Sequence, residues 1–170
     1  DIEQSLFVDS AEGDDTVASN AEQTGSAISL TVVAGSGNDS VIGGGLADSV
    51  LAGIGDDIVD GTGGNDFIGL GEGNDSALGG EGNDSIVGGA GLDTILGEDA
   101  NDTVNAGADN DSVLGGAGND SIGAGSGDDF VDGDADNDTI LGAAGNDSIL
   151  SGEGNDSIVG GLDDDLIGFG

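Results

Sequence analysis

The sequence contains no lysine, arginine or histidine, so none of its 36 acidic residues can find a side-chain cation within the chain, and its formal charge is −36. A chain without cations cannot grip the phosphates of nucleic acid. The same deficit excludes an anionic membrane surface. No cysteine is present, which removes disulfides and thiolate metal sites together. Proline, tryptophan, tyrosine and methionine are missing too, and phenylalanine occurs four times. No apolar run approaches the roughly 18 residues of a membrane-spanning helix. Catalysis lacks its usual tools: a serine has no histidine or lysine to activate it, and a phosphate has no cationic clamp. The chain therefore reads as non-enzymatic. High charge with few aromatics is the composition of disordered proteins. The partners that remain are cations. The chain does not begin with Met and shows no signal peptide, which suggests a processed product or a segment of something longer.

What is abundant is glycine, 38 of 170 residues, and it recurs in register. From Ala34 to Gly168 the chain divides into fifteen nonapeptides without insertion or deletion. The unit is G-G-x-G-N-D-S-I-x. Its sixth position is always aspartate: Asp39, Asp48, Asp57, Asp66, Asp75, Asp84, Asp93, Asp102, Asp111, Asp120, Asp129, Asp138, Asp147, Asp156 and Asp165. Its eighth is Val or Ile in fourteen units, with Ala77 the exception. Upstream, "SAEGDDTVA" (10–18) keeps the frame with Asp15 at position six, while "GSAISLTVV" (25–33) has Leu30 there. A six-residue insert, Ser19–Thr24, separates the two. Residues 1–33 read as degenerate N-terminal turns or a cap, and residues 34–170 as the repeat array.

Glycine at positions one, two and four permits a backbone with φ > 0. Positions seven to nine predict a three-residue strand that sends position eight inward and its neighbours outward. The nonapeptide resembles the calcium-binding repeat of the repeats-in-toxin (RTX) family, G-G-x-G-x-D-x-U-x with U apolar. That resemblance covers the fifteen units and implies an all-β fold. The fold is a right-handed parallel β-roll, a β-solenoid with two nonapeptides per turn and calcium ions between loops on successive turns. The core is then two thin ladders, with Ile86, Val104, Ile122 and Ile140 on one side.

Two units per turn stack Asp84 between Asp66 and Asp102, about 4.8 Å apart. Coulomb's law sets the repulsion at ~0.9 kcal/mol per pair in water and ~3.5 at an effective dielectric of 20. Fifteen units make thirteen such pairs. Their sum reaches or exceeds a whole-domain stability of roughly 5–15 kcal/mol, so the stack requires a cation. Only hard oxygen ligands are on offer, which suits Ca²⁺ with its six to eight flexible oxygens better than strictly octahedral Mg²⁺. The family resemblance makes the fifteen aspartates and nearby loop carbonyls the ligands of about 13 Ca²⁺ ions. Such ions would bring −36 to about −10. Asp109, Asp136 and Asp163 at position four, Glu98 and Asp134 at position two, Leu46–Ala47 and Ala100 depart from the motif. Adjacent sites are expected to be less complete, although Asp tolerates left-handed geometry.

Other patterns weaken on inspection. "DGDADN" (132–137) starts like an EF-hand loop but has Asn137 where glycine belongs and Ala143 in place of the closing glutamate. The spacing of Gly123, Gly125 and Gly127 mimics a dinucleotide fingerprint only because glycine is everywhere. Asn-Asp-Ser/Thr triplets meet the glycosylation pattern as a by-product of the repeat. An outward Asn column suggests ice-binding relatives, but the paired Thr column they display is missing. Position nine is often apolar (Leu78, Val87, Leu96, Leu114, Leu141, Leu150), and Phe67 and Phe130 at position seven join it as an expected contact surface. The function these features favour is an extracellular, bacterial surface module (layer, filament or adhesin stalk) that folds and self-associates on binding calcium. The alternative is the calcium-triggered folding or secretion module of a toxin or hydrolase.

Overall fold

Every position-eight residue of the fifteen units sits within a strand, flanked by residues that face the other way. The computed structural model of the chain describes residues 4–19 and 28–170. It opens with β1 (Gln4–Asp9), β2 (Thr16–Ala18), β3 (Ile28–Ser36) and β4 (Ser40–Gly44), and fourteen more strands follow, down to Leu166–Gly168. The strands alternate between two nine-stranded parallel sheets, one holding β1 and β3, the other β2 and β4. Thr103 pairs with Ser85, and Val104 with Ile86, eighteen positions apart. One turn is therefore two nonapeptides, and the fold is the expected parallel β-roll. Between β1 and β3, and between β2 and β4, the offset is 24 instead. The extra six match the insert, of which only Ser19 lies within the described residues.

Two expectations need correction. Most strands run six residues, from position seven through position three of the next unit, as in Ser85–Ala90 and Thr94–Asp99. The in–out alternation simply continues: position eight points in, nine out, and one in again. Position one therefore makes a second inward ladder, with Ala34, Ala52, Leu70, Ala106 and Ala124 fully buried. Nor does glycine serve a left-handed backbone at that position. Gly89 and Gly91, at positions two and four, have φ of 126° and 122°, whereas Gly88 has no positive φ. Position one takes glycine for want of a side chain.

Side-chain sizes explain why. At Gly115 position one faces position eight of its own unit across the core: an added Cβ would lie 3.2 Å from Ile122 Cδ1. Where position one lies in the sheet of β3, the two sizes compensate. Alanine goes with valine (Ala52–Val59, Ala106–Val113), glycine with isoleucine (Gly88–Ile95), and the single leucine with the single alanine (Leu70–Ala77). Ala–Val and Gly–Ile each supply four side-chain carbons. A close-packed interior responds to a single methylene, so the equal sums of the Ala–Val and Gly–Ile pairs keep the roll near one thickness, and Leu70–Ala77 adds one carbon.

Candidate metal centre

Each position-six aspartate lies at the bend between the two sheets, after a position-four residue that is left-handed in every unit but that of Leu46. The described bends fall into two columns. One runs through Asp39, Asp57, Asp75 and Asp93 to Asp165, the other through Asp48, Asp66, Asp84 and Asp102 to Asp156. All thirteen aspartates from Asp39 to Asp147 are 1–4% exposed. Asp156 and Asp165 are half-buried.

The polar groups of one such residue can be accounted for completely. Asp84 N–H donates to Asp102 Oδ1 at 2.8 Å, and Asp84 Oδ1 accepts from Asp66 N–H at 2.7 Å. The Asp84 carbonyl accepts from Thr103 N–H at 2.9 Å. Only Oδ2 is left. The N–H to Oδ1 bond recurs in all thirteen expected pairs. Asp15 adds a further pair, its N–H donating to Asp39 Oδ1 at 2.8 Å. Sequence reasoning had put Asp15 in frame without counting it as a ligand; its place at position six was the signal. In the other column Leu30, lacking a carboxylate, still donates its N–H to Asp48 Oδ1 at 2.6 Å.

Among the described residues fourteen Oδ2 atoms, from Asp15 to Asp147, are buried without a hydrogen-bond partner. An unpaired carboxylate oxygen out of water is costly and shifts its own titration. Burial is the largest cause, opposed by the backbone bond and reinforced by neighbouring carboxylates one turn away. It lifts Asp66, Asp102 and Asp111 to about 7 and Asp57 and Asp138 to about 6. Asp84, Asp93 and Asp120 are raised for the same first reason.

The orphan oxygens share a cradle. A Cβ built on Gly79 would stand 2.5 Å from Asp84 Oδ2 and 2.7 Å from the Gly97 carbonyl oxygen, one turn on. At Gly115 the corresponding distances are 2.6 Å to Asp120 Oδ2 and 2.8 Å to the Gly133 carbonyl. A carboxylate oxygen and a carbonyl oxygen thus approach the same point beside a glycine, and the carboxylate oxygen has no hydrogen-bond donor among the described residues. Among the described residues no three acidic side chains gather as a metal-holding cluster, so a coordination shell here draws on backbone carbonyls or water beside the carboxylates. The donors fit a hard cation such as Ca²⁺.

The departures from the motif are absorbed. Asp109, Asp136 and Asp163 adopt φ of 76°, 77° and 77°, and Glu98, Asp134 and Ala100 adopt 78°, 72° and 82°. Leu46 has no positive φ, yet Asp48 N–H still donates to Asp66 Oδ1 at 2.8 Å. The EF-hand-like stretch is an ordinary bend of the roll: Asp134 N–H donates to Asp132 Oδ1 at 3.2 Å, and Asp138 stands in its column.

Position five forms an exposed ladder outside the carboxylates. Asn101 N–H donates to Asn83 Oδ1 at 2.9 Å and Asn119 N–H to Asn101 Oδ1 at 2.8 Å. In the other column asparagine alternates with aspartate, as in Asn38, Asp56 and Asn74, except where Leu92 takes an aspartate's place, so no two like charges stack. Asp128, accepting from Asn146 N–H and its side-chain amide, is held below the usual carboxylate range.

A parallel solenoid of acidic nonapeptides, with buried carboxylate columns at both bends, belongs to the class of calcium-binding β-rolls. The profile of the RTX calcium-binding nonapeptide repeat, four copies long, matches overlapping segments that together cover residues 33–167. The chain belongs to that family and is a calcium-binding repeat module. No curated protein matches it significantly.

Proposed function

We propose that this chain is an extracellular structural module whose fold is completed by Ca²⁺ held along the two aspartate columns. The observation that carries this reading is the row of fourteen buried, partnerless Oδ2 atoms. Each of the fifteen position-six aspartates serves as a ligand, and about 13 ions bridge turns within the columns. Residues 1–33 form the degenerate N-terminal end of the same roll. Extracellular modules of this chemistry bind Ca²⁺ with a Kd of roughly 10⁻⁴ to 10⁻³ M, far above cytosolic calcium, so the chain folds on leaving the cell.

Self-association is the second part of the proposal. Its support is the outward apolar set at position nine, where Leu51, Leu141, Leu150 and Ile42 are 41–47% exposed. Leu78, Leu96 and Leu114 pair side by side on one sheet, bounded by Asp60 and Asp132. The surface is therefore a set of short patches that calcium-loaded copies, with most of their charge offset, can share. Circular dichroism with Ca²⁺ and with excess chelator tests the folding claim. A strand spectrum should appear with Ca²⁺ and collapse in chelator; a spectrum indifferent to chelator overturns the proposal.

A further inference from the structure

The cradles beside the orphan oxygens are not alike. At Asp48, Asp66, Asp84, Asp102, Asp120 and Asp138 the position-one residue of the same unit is glycine. At Asp39, Asp57, Asp111 and Asp129 it is alanine, and at Asp75 it is Leu70. A real Cβ cannot stand 2.5 Å from a carboxylate oxygen and 2.7 Å from a carbonyl, as one on Gly79 would. In the alanine and leucine units those two oxygens must be held apart, with hydrocarbon between them. All these aspartates are equally buried, so the difference lies in what the oxygen faces rather than in its depth.

From this we infer that the position-one residue grades the calcium site of its own unit. Glycine-lined sites fill at low calcium, alanine-lined sites at higher calcium, and the Leu70–Asp75 site last. The inference rests on the calcium reading above. The expected gap is about 10- to 100-fold in Kd, the range usual when a metal ligand loses a supporting partner. Because the glycine-lined sites dominate one bend and the side-chain-lined sites the other, one edge of the roll loads before its opposite. The chain then has two calcium set points: a half-loaded state with one neutralised edge, and a fully loaded state. Glycine at Gly88, Gly142 and Gly160 places Asp93, Asp147 and Asp165 as early sites within the late column.

The compensating sizes across the core allow a test that leaves packing intact. Exchanging Ala–Val for Gly–Ile, a pair the roll already uses at Gly88–Ile95, conserves side-chain carbons. The full chain carrying A52G/V59I, A106G/V113I and A124G/V131I would be titrated with Ca²⁺ by calorimetry beside the unsubstituted protein. G97A, which creates an Ala–Val pair with Val104, is the converse variant. Two phases are expected for the unsubstituted protein. The triple exchange should move three sites from the late phase to the early one, and G97A should move the Asp102 site the other way. Anomalous scattering at limiting calcium should show ions beside glycine and none beside Leu70. A single phase, or phases that ignore these exchanges while calcium still binds, overturns the grading and leaves the calcium module standing. No calcium uptake at all overturns both. Far-UV dichroism of each loaded variant shows that the fold was kept, and G97A decides should the triple exchange fail to fold.

Discussion

Replacing Asp102 by asparagine separates the two roles of the aspartate column. Asparagine keeps an oxygen to accept the Asp84 N–H at 2.8 Å and a backbone N–H for Asp120 Oδ1 at 2.8 Å. What disappears is the orphan oxygen and its charge. With calcium present, two bridges are lost, one toward Asp84 and one toward Asp120. At free Ca²⁺ ten times Kd each is worth ~1.4 kcal/mol, so the variant loses ~3 kcal/mol. With a urea slope of about 1–3 kcal/mol per molar, the midpoint falls by roughly 1–3 M. In chelator the sign reverses. The charge removed stood one strand spacing from Asp84 and from Asp120, whose fields help raise its carboxyl to about 7. Removing it relieves up to ~3.5 kcal/mol per neighbour at an effective dielectric of 20. Asp102→Asn should therefore be less stable than the parent in calcium and more ordered than the parent without it. Far-UV dichroism is the assay, because the chain has no tryptophan or tyrosine to report by fluorescence. An equal loss of stability in both conditions would refute the reasoning and reduce Asp102 to a hydrogen-bond acceptor.

Protons should substitute in part for calcium. Carboxyls raised from 3.8 to about 7 (Asp66, Asp102, Asp111) or about 6 (Asp57, Asp138) favour the fold only when neutral. Their penalty is complete above pH ~7, is relieved as pH falls through both values, and is gone below 3.8. In chelator, strand content should rise between about pH 8 and pH 5, and a spectrum flat across that range contradicts the burial argument. Electron microscopy in millimolar Ca²⁺ tests self-association: filaments, sheets or bundles are expected, and monodisperse short rods would confine the function to a monomeric module.

Much of this architecture is readable in the sequence, and the unread parts have identifiable causes. Aspartate every nine residues marks the columns because no other position is invariant. Val or Ile at position eight marks the inner ladder. The second ladder was missed because glycine is ambiguous: at Gly89 and Gly91 it serves a left-handed backbone, and at Gly88 it serves space. The signal lay in the residues that replace it. Leu70 appears in the unit whose position eight shrinks to Ala77, a covariance within one chain that only packing produces. The role of Oδ1 was not legible either. Nothing in a one-dimensional pattern says which of two carboxylate oxygens reaches a backbone N–H one turn away.

The two hydrogen-bond ladders point in opposite directions along the roll. An aspartate at position six accepts from the turn before it, as Asp102 does from Asp84, while an asparagine at position five accepts from the turn after it, as Asn101 does from Asn119. Each junction is thus latched from both sides, by an inner catch thrown backward and an outer catch thrown forward. For a chain that emerges N-terminus first, a turn is secured from inside only when the next turn's aspartate arrives, eighteen residues later. The growing tip then remains one turn behind the last residue delivered. Delivered in that order, a roll of this kind would close like a zip fastener, in one direction and one tooth at a time.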